Sequence, residues 1–236
     1  MALPSADLFM AGRVTNPNQS EFIRQRLYDY QLYPAAGAQQ LTFFSTPVGQ
    51  GVATAVGCVV GSSKTFQDTN MQLGGQLPSG VGYYIESIEV YFEPGSVSTA
   101  NTFTPALNGS FNATDSATSQ PLLAFQDSAQ FYKSGLLEFN ILQKNYLRET
   151  PLVVFPPKAF LNTQSAVASN AAATGLTAIG TVKADGRPYY VDPGITLQSA
   201  VNFEILLKWP ASVPTISTFN GRVGIVLDGY MYRASQ

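Results

Sequence analysis

The sequence predicts an all-β fold, a sandwich of antiparallel strands with long inter-strand loops, and three observations support this prediction. Residues 201–209, VNFEILLKW, place an apolar residue at every second position, which is the period of a strand with one buried face. Further strand-like segments alternate with turn residues from residue 41 onward. No segment shows a convincing amphipathic-helix pattern. Since an apolar sheet face needs a second layer to cover it, two packed sheets are expected.

The predicted strands are short apolar or alternating segments bounded by glycine, proline and polar residues. They span residues 41–44, 82–94, 137–141, 152–155, 181–183, 189–191, 201–209 and 222–233. Within residues 82–94, period two places on one face Tyr84, Glu86, Ile88, Val90 and Phe92. The last segment is interpreted as one long strand with a bulge at Gly229.

The connections between these strands carry two further expectations. Residues 181–183 and 189–191 are expected to pair as a hairpin, and Pro188 places the second of them near a sheet edge. Residues 96–120 and 162–180 are interpreted as long loops of small and polar residues. Loops of this length usually have a role at a surface or an interface.

Residues 1–40 are interpreted as an N-terminal arm and residues 41–236 as the sandwich domain. Three acidic residues and three arginines balance within the first 30 residues, so the arm has no basic excess. Its apolar and aromatic residues are the predicted subunit-interface residues: Phe9, Phe22, Leu27, Tyr28 and Tyr30. The alternative, which the sequence supports equally, is that this segment adds a strand to the chain's own sheet.

Composition favours a globular protein with a weakly charged surface. Hydrophobic residues make up 45% of the 236 residues, but charged residues only 12%, about half of the usual ~25%. A surface with few charges and many aromatic residues suits permanent contacts with other chains. The net charge of −2 lacks the basic excess of proteins that bind polyanions. Cys58 is expected to be a buried small apolar residue rather than a reactive thiol.

The residue types argue against catalysis and against cofactors. The sequence contains no histidine, which excludes Ser-His-Asp catalysis and His-ligated metal sites. One cysteine is too few for a cysteine-ligated zinc or iron–sulfur centre. Carboxylate pairs such as Glu138 and Glu204 remain, but solvated strand faces explain them better than glycoside hydrolysis does. The expectation is a protein that is not an enzyme and holds no cofactor.

The N-terminus and the closing strands resemble a known family. Residues 26–51, RLYDYQLYPAAGAQQLTFFSTPVGQG, are similar to the opening of structural proteins of tailless icosahedral bacteriophages with small genomes. The closing pair VNFEILLKW and GRVGIVLDGYMYR is similar to the last strands of viral jelly-roll capsid proteins. This resemblance implies one antiparallel jelly-roll sandwich, with two small tandem jelly rolls as the alternative. The chain departs from many capsid proteins in lacking a basic arm, which puts direct genome binding by that arm in doubt.

The resemblance implies a major capsid protein that self-assembles into an icosahedral virion shell after synthesis in the host cytoplasm. Its expected partners are copies of itself and other virion proteins, with weak or no direct nucleic-acid binding. Contact with an internal membrane is left open. The alternative is a carbohydrate-binding module or lectin, for which the candidate stacking residues are Tyr83, Tyr84, Tyr91, Tyr189 and Tyr190. A glycoside hydrolase is the third and weakest hypothesis.

Overall fold

The structure is a computed structural model that describes residues 21–55, 61–95, 120–158, 160–168, 176–184 and 187–233. Within these ranges the chain forms eleven β-strands, one α-helix and one 3-10 helix. The strands are β1 (Glu21–Arg24), β2 (Leu27–Tyr33), β3 (Gln40–Phe43), β4 (Val81–Glu93), β5 (Leu136–Ile141), β6 (Lys144–Pro151), β7 (Phe160–Ala168), β8 (Leu176–Ala184), β9 (Tyr189–Leu197), β10 (Phe203–Lys208) and β11 (Gly221–Arg233). The helices are α1 (Gln120–Ser134) and the 3-10 helix Leu152–Val154.

Two antiparallel sheets enclose one apolar core. In the first sheet the strand order is β1-β11-β4-β9, with β2 also paired to β11. In the second sheet the order is β3-β10-β5-β6, and β7 pairs with β8 in a separate two-stranded sheet. A single buried cluster joins side chains of both larger sheets, including Ile225 and Val90 from the first and Phe139 and Ile205 from the second. The predicted all-β sandwich is therefore confirmed.

Strands β1 and β2 lie along the same edge of β11. Strand β1 pairs with residues 230–233, and β2 pairs with residues 221–227. Between the two strands, the Gln25 N–H donates to the Gly229 carbonyl at 3.2 Å. The sequence left two interpretations open for this segment, an arm that contacts other subunits or an added strand of the chain's own sheet. For residues 21–33 the structure shows strands of the chain's own sheet. Phe9 and the rest of residues 1–20 lie outside the described residues, and a role of residues 1–40 toward neighbouring subunits stays a prediction.

Strand β10 has the predicted buried face. Its core-facing side chains, with the flanking tryptophan, are Phe203, Ile205, Leu207 and Trp209, and all four are buried. Each contributes about 1.5–3 kcal/mol by leaving water. The opposite face carries Glu204 and Lys208, which stay partly exposed, and between them Leu206, which is buried. The alternation in VNFEILLKW is therefore confirmed as the pattern of a strand with one buried face.

In the first half of β4, the face that is buried differs from the predicted one. The core contains Tyr83 and Ile85, and further along the strand Ile88, so the period-two prediction was wrong for Tyr84 and Glu86. The pairing with β11 explains this difference. Asp228 and Gly229, which are neighbours in β11, lie opposite Ser87 and Ile85 in β4. Glu86 is thus an extra residue that reverses the alternation. The register shift lies at Asp228/Gly229, where a bulge was expected, but the extra residue is Glu86, so the bulge is in β4 and not in the last strand.

Helix α1 was not expected from the sequence. Pro121 near its start, Lys133 in its last turn and Gly135 just after its end are the ordinary boundary signals of a helix. Its Phe131 ring stacks on Phe92 with 4.4 Å between the ring centroids, and so fills one end of the core. The apolar residues of QPLLAFQDSAQFYKS recur only weakly at the 3.6-residue period of a helix. None of the helices in the described residues is long and apolar enough to cross a membrane.

Three other segments differ from the sequence interpretation. Residues 152–154, expected in a strand, form a 3-10 helix before two prolines. The predicted hairpin between residues 181–183 and 189–191 is wrong, because β8 pairs with β7 whereas β9 pairs with β4. Much of the loop expected at residues 162–180 is therefore strand. The edge position predicted for residues 189–191 is confirmed, and residues 96–119 lie outside the described ranges.

Candidate functional site

The connection between β3 and β4 (the β3–β4 segment, described at residues 44–55 and 61–80) closes the edge of the sandwich through a buried ion pair. Asp29 lies on the core-facing side of β2, between the buried Leu27 and Tyr33. The Lys64 Nζ atom lies 2.6 Å from its carboxylate, and the Phe44 N–H donates to it at 2.8 Å. The Asp29 and Lys64 side chains are 0% and 4% exposed. Burial raises the pKa of Asp29, while the Lys64 charge opposes that shift.

A second buried carboxylate fixes the turn at residues 65–69. Asp68 accepts hydrogen bonds from the Thr54 N–H at 2.9 Å, the Thr54 hydroxyl at 2.8 Å and the Thr65 N–H at 3.1 Å. The Arg222 guanidinium lies 3.6 Å from Asp68 and donates to the Gln67 carbonyl at 2.9 Å. With four donors or cations around one buried carboxylate, this turn is held in one conformation.

The same guanidinium stacks on an aromatic ring of β2. Arg222 lies 3.9 Å from the centroid of Tyr30, and burial raises the pKa of Tyr30 to about 12. Tyr28 packs edge-on against Tyr30, and its hydroxyl donates to the Phe66 carbonyl. The two tyrosines that the sequence assigned to a subunit interface therefore lie beneath the β3–β4 segment of their own chain.

The other predicted interface residues have different surroundings. Leu27 is buried in the core of its own subunit, and Phe22 lies opposite Tyr232 in the β1–β11 pairing. The sequence analysis missed Lys64, Asp68 and Arg222, which the fold brings together from distant positions. One local signal was available: threonine three residues before aspartate, as at Thr65 and Asp68, is typical of a hydrogen-bonded turn.

The rigid turn presents an exposed aromatic residue. Phe66 is 66% exposed although the backbone on both sides of it is hydrogen-bonded, through the Thr65 N–H to Asp68 and through the Phe66 and Gln67 carbonyls to Tyr28 and Arg222. Other large apolar side chains that are exposed among the described residues are Val52, Leu73, Leu142, Tyr146, Val153, Val154, Tyr190 and Ile216. Single exposed apolar residues are ordinary. Three of them, Val52, Phe66 and Leu73, belong to the β3–β4 segment, which is therefore a candidate contact region.

A cleft of about 300 Å³ opens at one end of the second sheet. It is lined by Ser45, Gly74, Gly75, Asn140, Leu142, Asn202, Phe203 and Glu204. At its rim, Leu142 is 66% exposed and has φ 53°, a left-handed conformation that favours glycine or asparagine. The Gln76 amide donates to Asn202 beside the cleft. The lining thus combines small residues, an exposed leucine, two amides and one carboxylate.

A third charged cluster ties β11 to the break between β1 and β2. The Asp228 side chain is 3% exposed and lies 3.0 Å from Arg24, 3.8 Å from Arg26 and 3.7 Å from Lys158. Burial alone would raise the pKa of Asp228, but the Arg24 hydrogen bond and the surrounding cations outweigh burial and lower it. This carboxylate therefore stabilises the fold in its charged form.

The carboxylates considered for catalysis form part of a polar strand face. Asn140 lies between them and donates to Glu138 at 2.9 Å and to Glu204 at 3.4 Å. Lys208 bonds Glu138 at 2.5 Å and lowers its pKa. In the part of the chain that the structure describes, no group of three or more Cys, Asp and Glu residues is placed to hold a metal ion.

The tyrosines proposed as sugar platforms do not form one surface. Tyr83 and Tyr84 are buried, and Tyr189 packs against Phe155 with 4.6 Å between the ring centroids. Of the five candidates, Tyr190 is exposed. A shared aromatic platform made of these residues is therefore excluded.

Comparisons with protein-family models, with curated proteins and with solved structures find no match to this chain. Inference about its function consequently rests on its own sequence and geometry.

Proposed function

We propose that this chain is a structural subunit, the major capsid protein of an icosahedral virion, and that its sandwich is a single jelly roll. The observation that carries the proposal is the order of strand pairing. If β1 and β2 count as one interrupted strand and the β7–β8 hairpin as an insertion, eight strands remain in chain order. The first pairs with the last (β2 with β11), the second with the seventh (β3 with β10), the third with the sixth (β4 with β9) and the fourth with the fifth (β5 with β6).

This nested pairing is what results when one long antiparallel ribbon wraps around a core, and it is typical of a jelly roll. The contacts β11–β4 and β10–β5 then join the ribbon into two four-stranded sheets of the observed order. Two tandem jelly rolls would instead pair strands within each half of the chain. The pairing of β2 with β11, from opposite ends of the described chain, supports the single jelly roll.

Jelly rolls also occur in lectins, so a shell function needs separate support. The first support is the low charge of the chain, 12% charged residues with a net charge of −2. The second is the exposed apolar surface of a β3–β4 segment that buried ion pairs hold rigid. A rigid core with apolar outer segments suits permanent contacts between subunits. The proposed partners are therefore copies of this chain and other virion proteins, with little direct binding of nucleic acid.

The cleft at the end of the second sheet favours a second candidate, a carbohydrate-binding module or lectin. Its two asparagines and Glu204 are side chains that can bond sugar hydroxyls. The cleft is at the low end of the ~300–1,000 Å³ range of ligand sites, which limits it to a small ligand. The buried Tyr83 and Tyr84 count against the stacking surface that such modules need.

Purification of the full chain separates the two candidates. Light scattering after size-exclusion chromatography, followed by negative-stain microscopy, is expected to show capsomers or closed shells. A protein that stays monomeric at high concentration and binds immobilised glycans would contradict the shell proposal and support the lectin.

A further inference from the structure

We propose that the cleft at the end of the second sheet binds a primary ammonium group carried on a short aliphatic chain, with Glu204 as its counter-charge. This site goes beyond the proposed shell function and does not depend on it. A free alkylamine and the lysine side chain of a second copy both carry this group. The chemistry of the site is therefore one, and cross-linking separates the two sources.

The walls of the cleft are joined to one another by backbone hydrogen bonds. The Phe203 N–H donates to the Gly75 carbonyl at 2.8 Å, and the Gly75 N–H donates to the Phe44 carbonyl at 2.7 Å. The Leu142 N–H donates to the Asn202 carbonyl at 2.9 Å. These bonds fix the β3–β4 segment and the ends of β5 and β10 against each other without a ligand. Binding consequently does not have to order the lining, which lowers its entropic cost.

Glu204 is a carboxylate without a cation of its own. It accepts a hydrogen bond from the Asn140 amide at 3.4 Å, and among the described residues no lysine or arginine forms an ion pair with it. Glu138 on the same strand face differs, because the Lys208 Nζ atom lies 2.5 Å from its carboxylate. Glu204 is partly exposed, so water solvates its charge in the free protein. A neutral ligand would displace that water and leave the charge uncompensated, whereas a cation pairs with it.

The other polar side chains of the cleft offer mainly acceptors to a ligand. The Asn140 amide nitrogen already donates to two carboxylates, so its carbonyl oxygen is the atom left for a ligand. The Ser45 hydroxyl donates to a backbone carbonyl at 3.3 Å and keeps its lone pairs for a donor. Asn202 is the exception, since its oxygen accepts from Gln76 and its N–H groups remain. An ammonium group, with three donors and no acceptor, matches this lining in hydrogen bonding as well as in charge.

The apolar part of the lining suits an alkyl chain rather than a bare metal ion. Leu142 is 66% exposed at the rim, and Gly74 and Gly75 leave part of the wall without side chains. A Cβ atom at position 74 would lie 2.5 Å from the Ser45 carbonyl oxygen, so this part of the wall stays open. An alkyl chain gains free energy by covering Leu142. Calcium takes six to eight oxygen ligands, and this cleft supplies one carboxylate.

Calorimetric titration of the purified full chain tests the site. At pH 7 the amine is charged, and n-butylamine is expected to bind at least about tenfold more tightly than its neutral analogue n-butanol, which cannot form a charge-assisted hydrogen bond. Glu204→Gln should weaken n-butylamine binding at least about tenfold. Glu86→Gln is the matched control, because Glu86 is a partly exposed carboxylate of the first sheet, and it should leave binding unchanged. Thermal unfolding of both variants should stay close to that of the wild type.

Carbodiimide cross-linking separates the two sources of the ammonium group. The reagent activates a carboxylate, which then couples to an adjacent primary amine as an amide, while the carbodiimide takes up the oxygen as a urea. In mixed isotopically labelled and unlabelled chains without added amine, an inter-chain amide between Glu204 and a lysine identifies the side chain of a second copy. A Glu204 adduct that needs added n-butylamine, and that forms in higher yield than the Glu86 adduct, identifies a free amine.

Three results would overturn the inference. The first is n-butanol or methyl glucoside binding as tightly as n-butylamine, which would favour a neutral ligand such as a sugar. The second is n-butylamine binding that Glu204→Gln leaves unchanged. The third is the absence of saturable n-butylamine binding together with the absence of a Glu204–lysine amide. None of these results depends on shell formation, since binding and cross-linking are measured equally well on single subunits and on particles.

Discussion

The outer faces of the two sheets differ in what covers them. On the first sheet, outward-facing charged residues of β11 and β4 such as Arg222, Asp228 and Glu89 are buried. On the second sheet, the outward-facing charged residues of β5 and β10, such as Glu138 and Lys208, remain partly exposed. Both faces carry charges, but those on the first sheet are more fully removed from water.

The cover of the first sheet explains this difference. The β3–β4 segment contacts Arg222 through Gln67 and Thr54, and the Lys158 N–H donates to Glu89 at 2.8 Å. A buried charge without a partner is costly. Each connection that covers this face therefore supplies a hydrogen-bond partner to a charge beneath it. Charges on the first sheet thereby fix long connections in place, whereas charges on the second sheet keep that face solvated.

The largest expected effect contrasts the two sides of β10. Leu207→Asp should abolish soluble folding, because an unpaired carboxylate in the core costs several kcal/mol. Lys208→Asp should fold with a loss of about 1 kcal/mol, since it replaces the partner of Glu138 on a solvated face. The yield of soluble protein measures the first effect and thermal unfolding of Lys208→Asp the second, and two variants with equal yield and equal stability would contradict the face assignment.

The next effect compares a buried ion pair with an exposed one. Lys64→Ala should lower the free energy of unfolding by about 3–5 kcal/mol, because it leaves the Asp29 carboxylate buried without its counter-charge. Lys208→Ala should cost about 0–1 kcal/mol. In urea titrations, the double variant Asp29→Asn with Lys64→Met should regain part of the loss. If Lys64→Ala cost no more than Lys208→Ala, the β3–β4 segment would not be fastened by this pair.

A smaller effect concerns pH. The pKa of Asp228 is lowered in the folded state, so its stabilising contribution is complete above the ordinary aspartate pKa of about 3.9 and is lost as pH falls through the folded value. Asp228→Asn should therefore be less stable than the wild type at pH 6, and the difference should shrink toward pH 3. Urea unfolding across this range measures it. A difference that is constant with pH would show that the three cations do not stabilise the charged form.

The smallest effect concerns salt. Screening in 1 M NaCl should remove most of the difference between wild type and Lys208→Ala, because the Lys208 side chain is 33% exposed. The effect of Lys64→Ala should persist, because water and ions do not reach a pair that is 4% and 0% exposed. Equal salt sensitivity of the two variants would contradict the distinction between covered and open faces.

The same contrast explains how much the sequence could predict. Strands β5 and β10 alternate visibly because one of their faces is open, and the sequence identified their inward residues. Strand β11 is buried on both faces over most of its length, so its apolar pattern is nearly continuous. In β4 the extra residue Glu86 reverses the alternation, which no local pattern in the sequence marks.

The candidate site was less predictable than the sheets. Phe66 becomes notable only when Asp68 and Arg222, 154 positions apart in the numbering, meet beneath its turn. The Asp29–Lys64 pair likewise depends on the path of the β3–β4 segment across the sheet edge. Helix α1 has ordinary boundary residues, but its apolar residues recur only weakly at the helical period, so the sequence analysis did not predict it.

Cryo-electron microscopy of the purified full chain tests the central claim most directly. The account predicts closed icosahedral particles in which each subunit contains the sheets β2-β11-β4-β9 and β3-β10-β5-β6 face to face, with the β3–β4 segment at a contact between subunits. Monomers without assembled particles at high protein concentration would contradict the shell function. Particles in which the β3–β4 segment faces solvent would contradict the role assigned to that segment.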